Sequence, residues 1–124
     1  MLKRNKEKIL RLWVDDVRPA PEGYFWVKSV YEATISIEEA EFQKFKIEVI
    51  DTDHDAGDYA DKGGDYIRLL DWLENTGRNY PIRIHSMNPV GVENMRAIIQ
   101  RNAWKEIKWD IERLKHFKKR LKSI

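Results

Sequence analysis

Asp51-Thr52-Asp53-His54-Asp55-Ala56-Gly57-Asp58 crowds four acids and a histidine together, straight after the apolar-rich run Phe45–Ile50. Carboxylates this close repel one another unless a positive charge offsets them. A second acid pair, Asp15-Asp16, ends the run Ile9–Val14, and His85-Ser86-Met87-Asn88 ends the run Tyr80–Ile84. Oxygen ligands drawn from separate strand ends suit a hard divalent cation, magnesium above all, which keeps several waters and bridges a phosphate. His54 and His85 can pass protons, because an ordinary imidazole titrates near 6.5. Zinc fits less well: there is no cysteine, and His54, His85 and His116 lack close ligand spacing. Each part has a plainer reading. The acid pair could cap a loop, the acidic stretch could be solvated surface, and "NPVG" reads as a turn opening a helix. Recurrence at three strand ends is what folding alone does not require.

Those ends must be positioned by the elements before them. Ile9–Val14 reads as a strand stopped by Asp15-Asp16. "VRPAPEGY" holds Pro19, Pro21 and Gly23 and reads as a loop. "FWVKSV" reads as the second strand. Ser36 and Glu39 form a capping-box pattern for a short helix. Phe45–Ile50 is the third strand, followed by a glycine-containing loop from Asp51 to Gly64. Asp65 is placed to cap a helix that runs to Glu74 and stops at Gly77. "YPIRIHSM" is the fourth strand, and a helix is expected from about Val92 to Arg101. Trp104 to Lys122 reads as a helix, with Trp104, Ile107, Ile111, Leu114 and Leu121 near a heptad pattern. Alternating strands and helices predict right-handed crossovers, a parallel sheet and helices on both faces. In such sheets, sites form beyond the carboxyl ends of the strands.

The 124 residues suggest one unit, divided here into an α/β domain over 1–104 and a basic helical extension over 105–124. Absent cysteines exclude disulfides and fit a reducing cytoplasm. The start "MLKRNKEK" lacks a signal-peptide pattern, and no run approaches the roughly 20 apolar residues that span a membrane. Net charge is only +2, but Arg113, Lys115, Lys118, Lys119, Arg120 and Lys122 follow one another without an acid. That tail could make weak contacts with nucleic acid. The plainer expectation is an amphipathic helix packed on the same domain or a partner, with Trp109 and Phe117 widening its stripe towards a homodimer contact.

"LWVDDVRPAPEGYFWVKSVYEA", "DTDHDAGD", "GGDYIRLLDWLE" and "IRIHSMNPVGVENMRAII" together resemble the cyclic-phosphate-processing receiver-like family. This family is a divergent branch of the response-regulator receiver fold. The resemblance implies a flavodoxin-like three-layer α/β sandwich with a mostly parallel sheet of four or five strands. Asp15 and Asp16 look like the receiver acid pair that binds a divalent cation. Asp53 looks like the third-strand acid that accepts a phosphoryl group, with Asp51 as the competing candidate. Ser86 falls where receivers sense that group. His54, His85 and Asn88 are additions of this branch. The resemblance thus implies a metal-assisted phosphoesterase acting on cyclic phosphates of nucleotides or RNA ends. Asp15, Asp16 and Asp53 would hold magnesium. His54, His85, Asp53 and Asp55 would carry the chemistry, and Arg18, Ser86 and Asn88 would bind phosphate. The alternatives are a phospho-accepting signalling receiver and a module that binds nucleotide or RNA ends without turnover. Two departures stand out. The Pro-rich loop from Val17 to Gly23 is too short for the usual first helix. A fifth strand with its lysine is not evident, since Lys105 to Trp109 is a poor candidate; Arg18 could supply that charge instead.

Overall fold

The structure is a computed structural model and describes residues 8–108 and 118–122. Four strands, β1 (Ile9–Val14), β2 (Phe25–Val27), β3 (Lys46–Thr52) and β4 (Ile82–Ile84), form one all-parallel sheet in the order β2-β1-β3-β4. Three helices connect or follow them: α1 (Val30–Phe42), α2 (Ile67–Asn75) and α3 (Pro89–Arg101). This is the receiver-like α/β fold expected from the sequence.

Alternation along the strands separates two faces. Leu12, Val14, Ile50 and Ile82 join residues of α1, α2 and α3 in one apolar core. Trp13, Asp51 and Arg83, paired in register across β1, β3 and β4, take the other face. On α1, Val30, Ala33, Ile37 and Ala40 are buried, a spacing that lines one side of a helix. On α2, Leu69, Leu70 and Leu73 do the same. Truncating one such leucine would cost about 2–5 kcal/mol.

Each of these three helices ends in a left-handed residue that returns two amide groups to the last turn, the Schellman arrangement. At α1 that residue is Lys44 (φ 63°), with Phe45 N–H on the Ala40 carbonyl at 2.8 Å. At α2 it is Gly77, as the sequence suggests. At α3 it is Ala103 (φ 55°), with Trp104 N–H on the Ile99 carbonyl at 3.1 Å.

Several expected boundaries move. The first helix is capped by Ser29, whose hydroxyl accepts from Glu32 N–H at 3.1 Å, so β2 ends at Val27. Ser36 lies inside α1 and its hydroxyl donates to the Glu32 carbonyl. Ser29 to Glu32 repeats the same cap spacing seven residues earlier and wins because Val30 and Ala33 then reach the core. Asp65 does not cap α2; the residue at that cap is Tyr66, with no side-chain bond, and Asp65 accepts from Ala56 N–H at 2.9 Å instead. α3 starts at Pro89, three residues before the expected Val92, capped by Asn88.

The stretch Trp104 to Lys108 is not helical. Glu106 makes an isolated parallel bridge to Ile82, with Ile82 N–H on the Lys105 carbonyl at 2.9 Å and Ile107 N–H on the Ile82 carbonyl at 2.8 Å. Backbone groups exposed at the β4 edge are satisfied this way, and tertiary pairing overrides the local helical pattern. The segment therefore lies where a fifth strand would be, and the proposed 104/105 boundary falls at this bridge. Residues 118–122 are helical, with Leu121 exposed. Trp109, Ile111, Leu114, His116 and Phe117, on which the amphipathic stripe and the dimer contact depended, lie outside the described residues.

Candidate functional site

Strand pairing delivers the polar ends to one edge. Asp53 N–H donates to the Val14 carbonyl at 2.9 Å, His85 N–H to the Thr52 carbonyl at 2.9 Å, and Asp15 N–H to the Val27 carbonyl at 3.1 Å. The ends of β1, β3 and β4 are thereby stitched side by side. Asp15, Asp16 and Asp53 each offer a carboxylate oxygen to one cluster, all within 4.8 Å of one another. Asp51 is excluded from it: Asp51 is buried, and its carboxylate meets His85 and lies 3.7 Å from Arg83 Nε.

Asp15 turns the chain as well as joining the cluster. Its Oδ1 accepts from Val17 N–H at 2.9 Å and Arg18 N–H at 2.8 Å, closing the turn after β1. Its Oδ2 accepts from His85 Nε2 at 2.9 Å. Burial opposes ionisation, but the Arg18 and Val17 amides and His85 outweigh it and hold the carboxyl below its ordinary value. Asp16 goes the other way. Burial, and then the charges of Asp15 and Asp53, push its carboxyl up. The cluster is thus short of positive charge, and three hard oxygen donors fit a divalent cation. Gly57 makes room for it: a Cβ there would stand 2.3 Å from Asp16 Oδ2.

The two histidines occupy different settings. His85 is buried, with Nδ1 2.6 Å from Asp51 Oδ1 and Nε2 on Asp15. Each ring nitrogen is thus engaged by a carboxylate, and neither is left for a substrate. The ring also stacks on Trp13, with centroids 3.8 Å apart and planes 5° from parallel. His54 is half-buried at the start of the acidic loop. Its Nδ1 lies 2.8 Å from Asp55 Oδ1, and Nε2 makes no hydrogen bond among the described residues.

Asn88 caps α3, its Oδ1 accepting from Gly91 N–H at 3.0 Å. That bond turns its amide nitrogen towards His54 Nδ1 and Asp55 Oδ2, each 3.5 Å away. Ser86 Oγ accepts from Asn88 N–H at 3.1 Å and shapes the same turn. Arg18 is exposed; its peptide carbonyl accepts from Trp13 Nε1 at 2.8 Å, while its guanidinium makes no hydrogen bond or ion pair among the described residues.

Sequence reasoning missed several contributors. Trp13, a strand residue by period, is the platform under His85. Asp51 is an anchor for that ring. Lys28, just past β2, holds its ammonium 4.6 Å from the Trp26 ring and 6.0 Å from the Tyr59 ring. Trp26 Nε1 donates to the Asp15 carbonyl at 2.7 Å. Buried Tyr66 donates to the Lys28 carbonyl at 2.7 Å, and burial plus the three clustered aspartates push its phenol up. No helix among the described residues is long and apolar enough to cross a membrane.

A family model for cyclic-phosphate processing receiver domains matches residues 10–101. No curated protein and no solved structure matches the chain. The match runs from the second residue of β1 to the last of α3, and so takes in all of the parallel sheet but Ile9 and every strand end that meets at the acid cluster. By that match the chain belongs to the cyclic-phosphate processing receiver domain family.

Proposed function

We propose that the chain is a phosphoesterase that opens a cyclic phosphate on a nucleotide or an RNA end with the help of a divalent cation, magnesium by preference. The observation that carries this reading is the meeting of Asp15, Asp16 and Asp53 at one sheet edge. These three residues would hold the cation. When bound, it supplies positive charge against the phosphate oxygens as the ring opens. In the reaction, water attacks phosphorus, one ring P–O bond breaks, and a proton reaches the leaving oxygen.

His54 is assigned the proton transfer. Its Nε2 is uncommitted, and Asp55 on Nδ1 fixes the ring and its tautomer. His85 is assigned to holding Asp15 in place, because both its nitrogens are engaged. Arg18, Ser86 and the Asn88 amide nitrogen would contact phosphate, Arg18 through a guanidinium suited to paired oxygens. The exposed basic residues of 118–122 would add weak, salt-sensitive attraction to an RNA substrate. This reading goes with a cytoplasmic protein.

Purified chain incubated with a ribonucleoside cyclic phosphate and magnesium should yield the monoester, and chelation should stop it. Asp53→Asn and His54→Ala should each lose most of the rate. Absence of turnover by the wild type under these conditions would sink the proposal.

One observation favours a second reading. Asp53 follows the central strand and is only half-buried, as a phosphoryl acceptor would need to be. Acetyl phosphate with magnesium would then add a phosphoryl mass that Asp53→Asn lacks, with no cyclic phosphate opened. Tight binding of a cyclic phosphate with neither product would instead mark a binding module.

A further inference from the structure

We propose that Gly91 is a positioning residue for His54, a role that rests on reading His54 as the proton-transfer group. Gly91 sits in the first turn of α3, is buried, and has ordinary helical backbone, so no left-handed conformation demands a glycine there. What demands it is space. A Cβ at Gly91 would lie 2.4 Å from His54 Cγ, 2.6 Å from Cδ2 and 2.8 Å from Nδ1. Real Cβ atoms do not approach a ring this closely, so with alanine either the imidazole or the helix must move.

The imidazole is held from three directions. One edge, Cγ with Cδ2 and Nδ1, fills the space that a side chain on Gly91 would take. Nδ1 is fixed by Asp55 at 2.8 Å. The Asn88 amide nitrogen approaches both, and the same Asn88 accepts from Gly91 N–H. Gly91 therefore ties the helix cap to the ring twice, once through its amide and once through its missing side chain. Nε2 is not among the ring atoms nearest to Gly91. A shift large enough to admit a Cβ would pull Nδ1 off Asp55 and re-aim Nε2. Displacements of about 1 Å at a reacting group can cost on the order of a hundredfold in rate.

The test exploits a sign. Alanine is the better helix former, so replacing a helical glycine that touches nothing raises stability. Gly91→Ala should lower the Tm of the wild type, yet raise it in a His54→Ala background, where the new methyl occupies the vacated ring space. Should Gly91→Ala fail to fold, a folded His54→Ala/Gly91→Ala double variant supports the proposal equally. Loss of Tm in both backgrounds would overturn the proposal. Side-chain nitrogen NMR should show the His54 ring signals displaced in Gly91→Ala and those of His85 unmoved; undisturbed His54 signals would likewise overturn it. With a ribonucleoside cyclic phosphate, kcat should fall about a hundredfold while KM stays within about twofold. Unchanged kcat would deny the positioning role. Absence of turnover by the wild type would remove the phosphoesterase reading, and the stability cycle and the ring signals would still decide whether Gly91 holds His54.

Discussion

The imidazole of His85 lies flat against the indole of Trp13, at 3.8 Å and 5° from parallel, with a carboxylate at each ring nitrogen. Face and edges are all occupied, which makes His85 a crosslink between β1, β3 and β4 ends. His85→Ala should leave Asp15 and Asp51 buried without their shared donor and cost about 3–5 kcal/mol. Trp13→Leu should cost less, about 1–2 kcal/mol, because the two bonds between the ring and the carboxylates remain. Denaturant unfolding of both variants measures this; a His85→Ala loss no larger than that of Trp13→Leu would refute the crosslink.

Asp16 should report the cation. Its folded-state carboxyl lies above the ordinary value, so ionising it destabilises the fold. That penalty is absent below the ordinary value of 3.8 and grows as pH rises through the raised one. Asp16→Asn should therefore match or exceed wild-type stability at neutral pH without metal. Magnesium should raise the Tm of the wild type and leave Asp16→Asn and Asp53→Asn nearly unmoved. Equal metal-induced shifts in all three proteins would count against the cluster as the binding site.

Glu41 sets a different pH response. Two hydrogen bonds from Arg78, both 2.9 Å, hold its carboxyl below the ordinary 4.5, with Tyr80 as a third donor. Burial, and then the bond to the Glu41 carboxylate, push the Tyr80 phenol up to about 12. Because the Glu41 value is depressed on folding, its contribution is complete above 4.5 and disappears as pH falls through the folded value. Glu41→Gln should be less stable than wild type near neutrality by about 1 kcal/mol, and the gap should close in acid. Urea midpoints at pH 7 and pH 3 test this; a constant gap would contradict it.

Ala103 carries avoidable strain. It takes a left-handed conformation at the end of α3, where a Cβ costs roughly 1 kcal/mol relative to glycine. Ala103→Gly should raise stability by up to about that amount with no effect on cation binding. A decrease in Tm would show that the Ala103 methyl is needed there.

Much of this was legible from sequence because it depends on local pattern. Strand β1 and the order of elements follow from apolar runs punctuated by Pro and Gly, and Gly77 marks its helix end. The acid cluster was legible because Asp15-Asp16 and Asp53 each follow such a run. Contacts between distant residues were not. Nothing local distinguishes Ser36 from Ser29 as a cap; the choice depends on which helix start sends Val30 and Ala33 to the core. Nothing in Trp104–Lys108 announces that its backbone will bond to Ile82. The opposite settings of His54 and His85 also escape the sequence. One depends on a glycine thirty-seven positions away, and the other on a tryptophan seventy-two positions away.

The pairing of β1 with β3 slips by one residue between Leu10 and Arg11, so Leu10 faces Ile47 but Arg11 faces Val49, and Glu48 is extra. Strict alternation from Ile47 would turn Asp51 inward among the helices and Ile50 outward. The extra residue acts like a frameshift in the pleat: Ile47 and Ile50 both reach the apolar core, and Asp51 comes out beside Trp13. A single glutamate without a register partner on β1, near the start of the strand, thus decides which carboxylate anchors His85, leaving Asp53 to meet the acid pair.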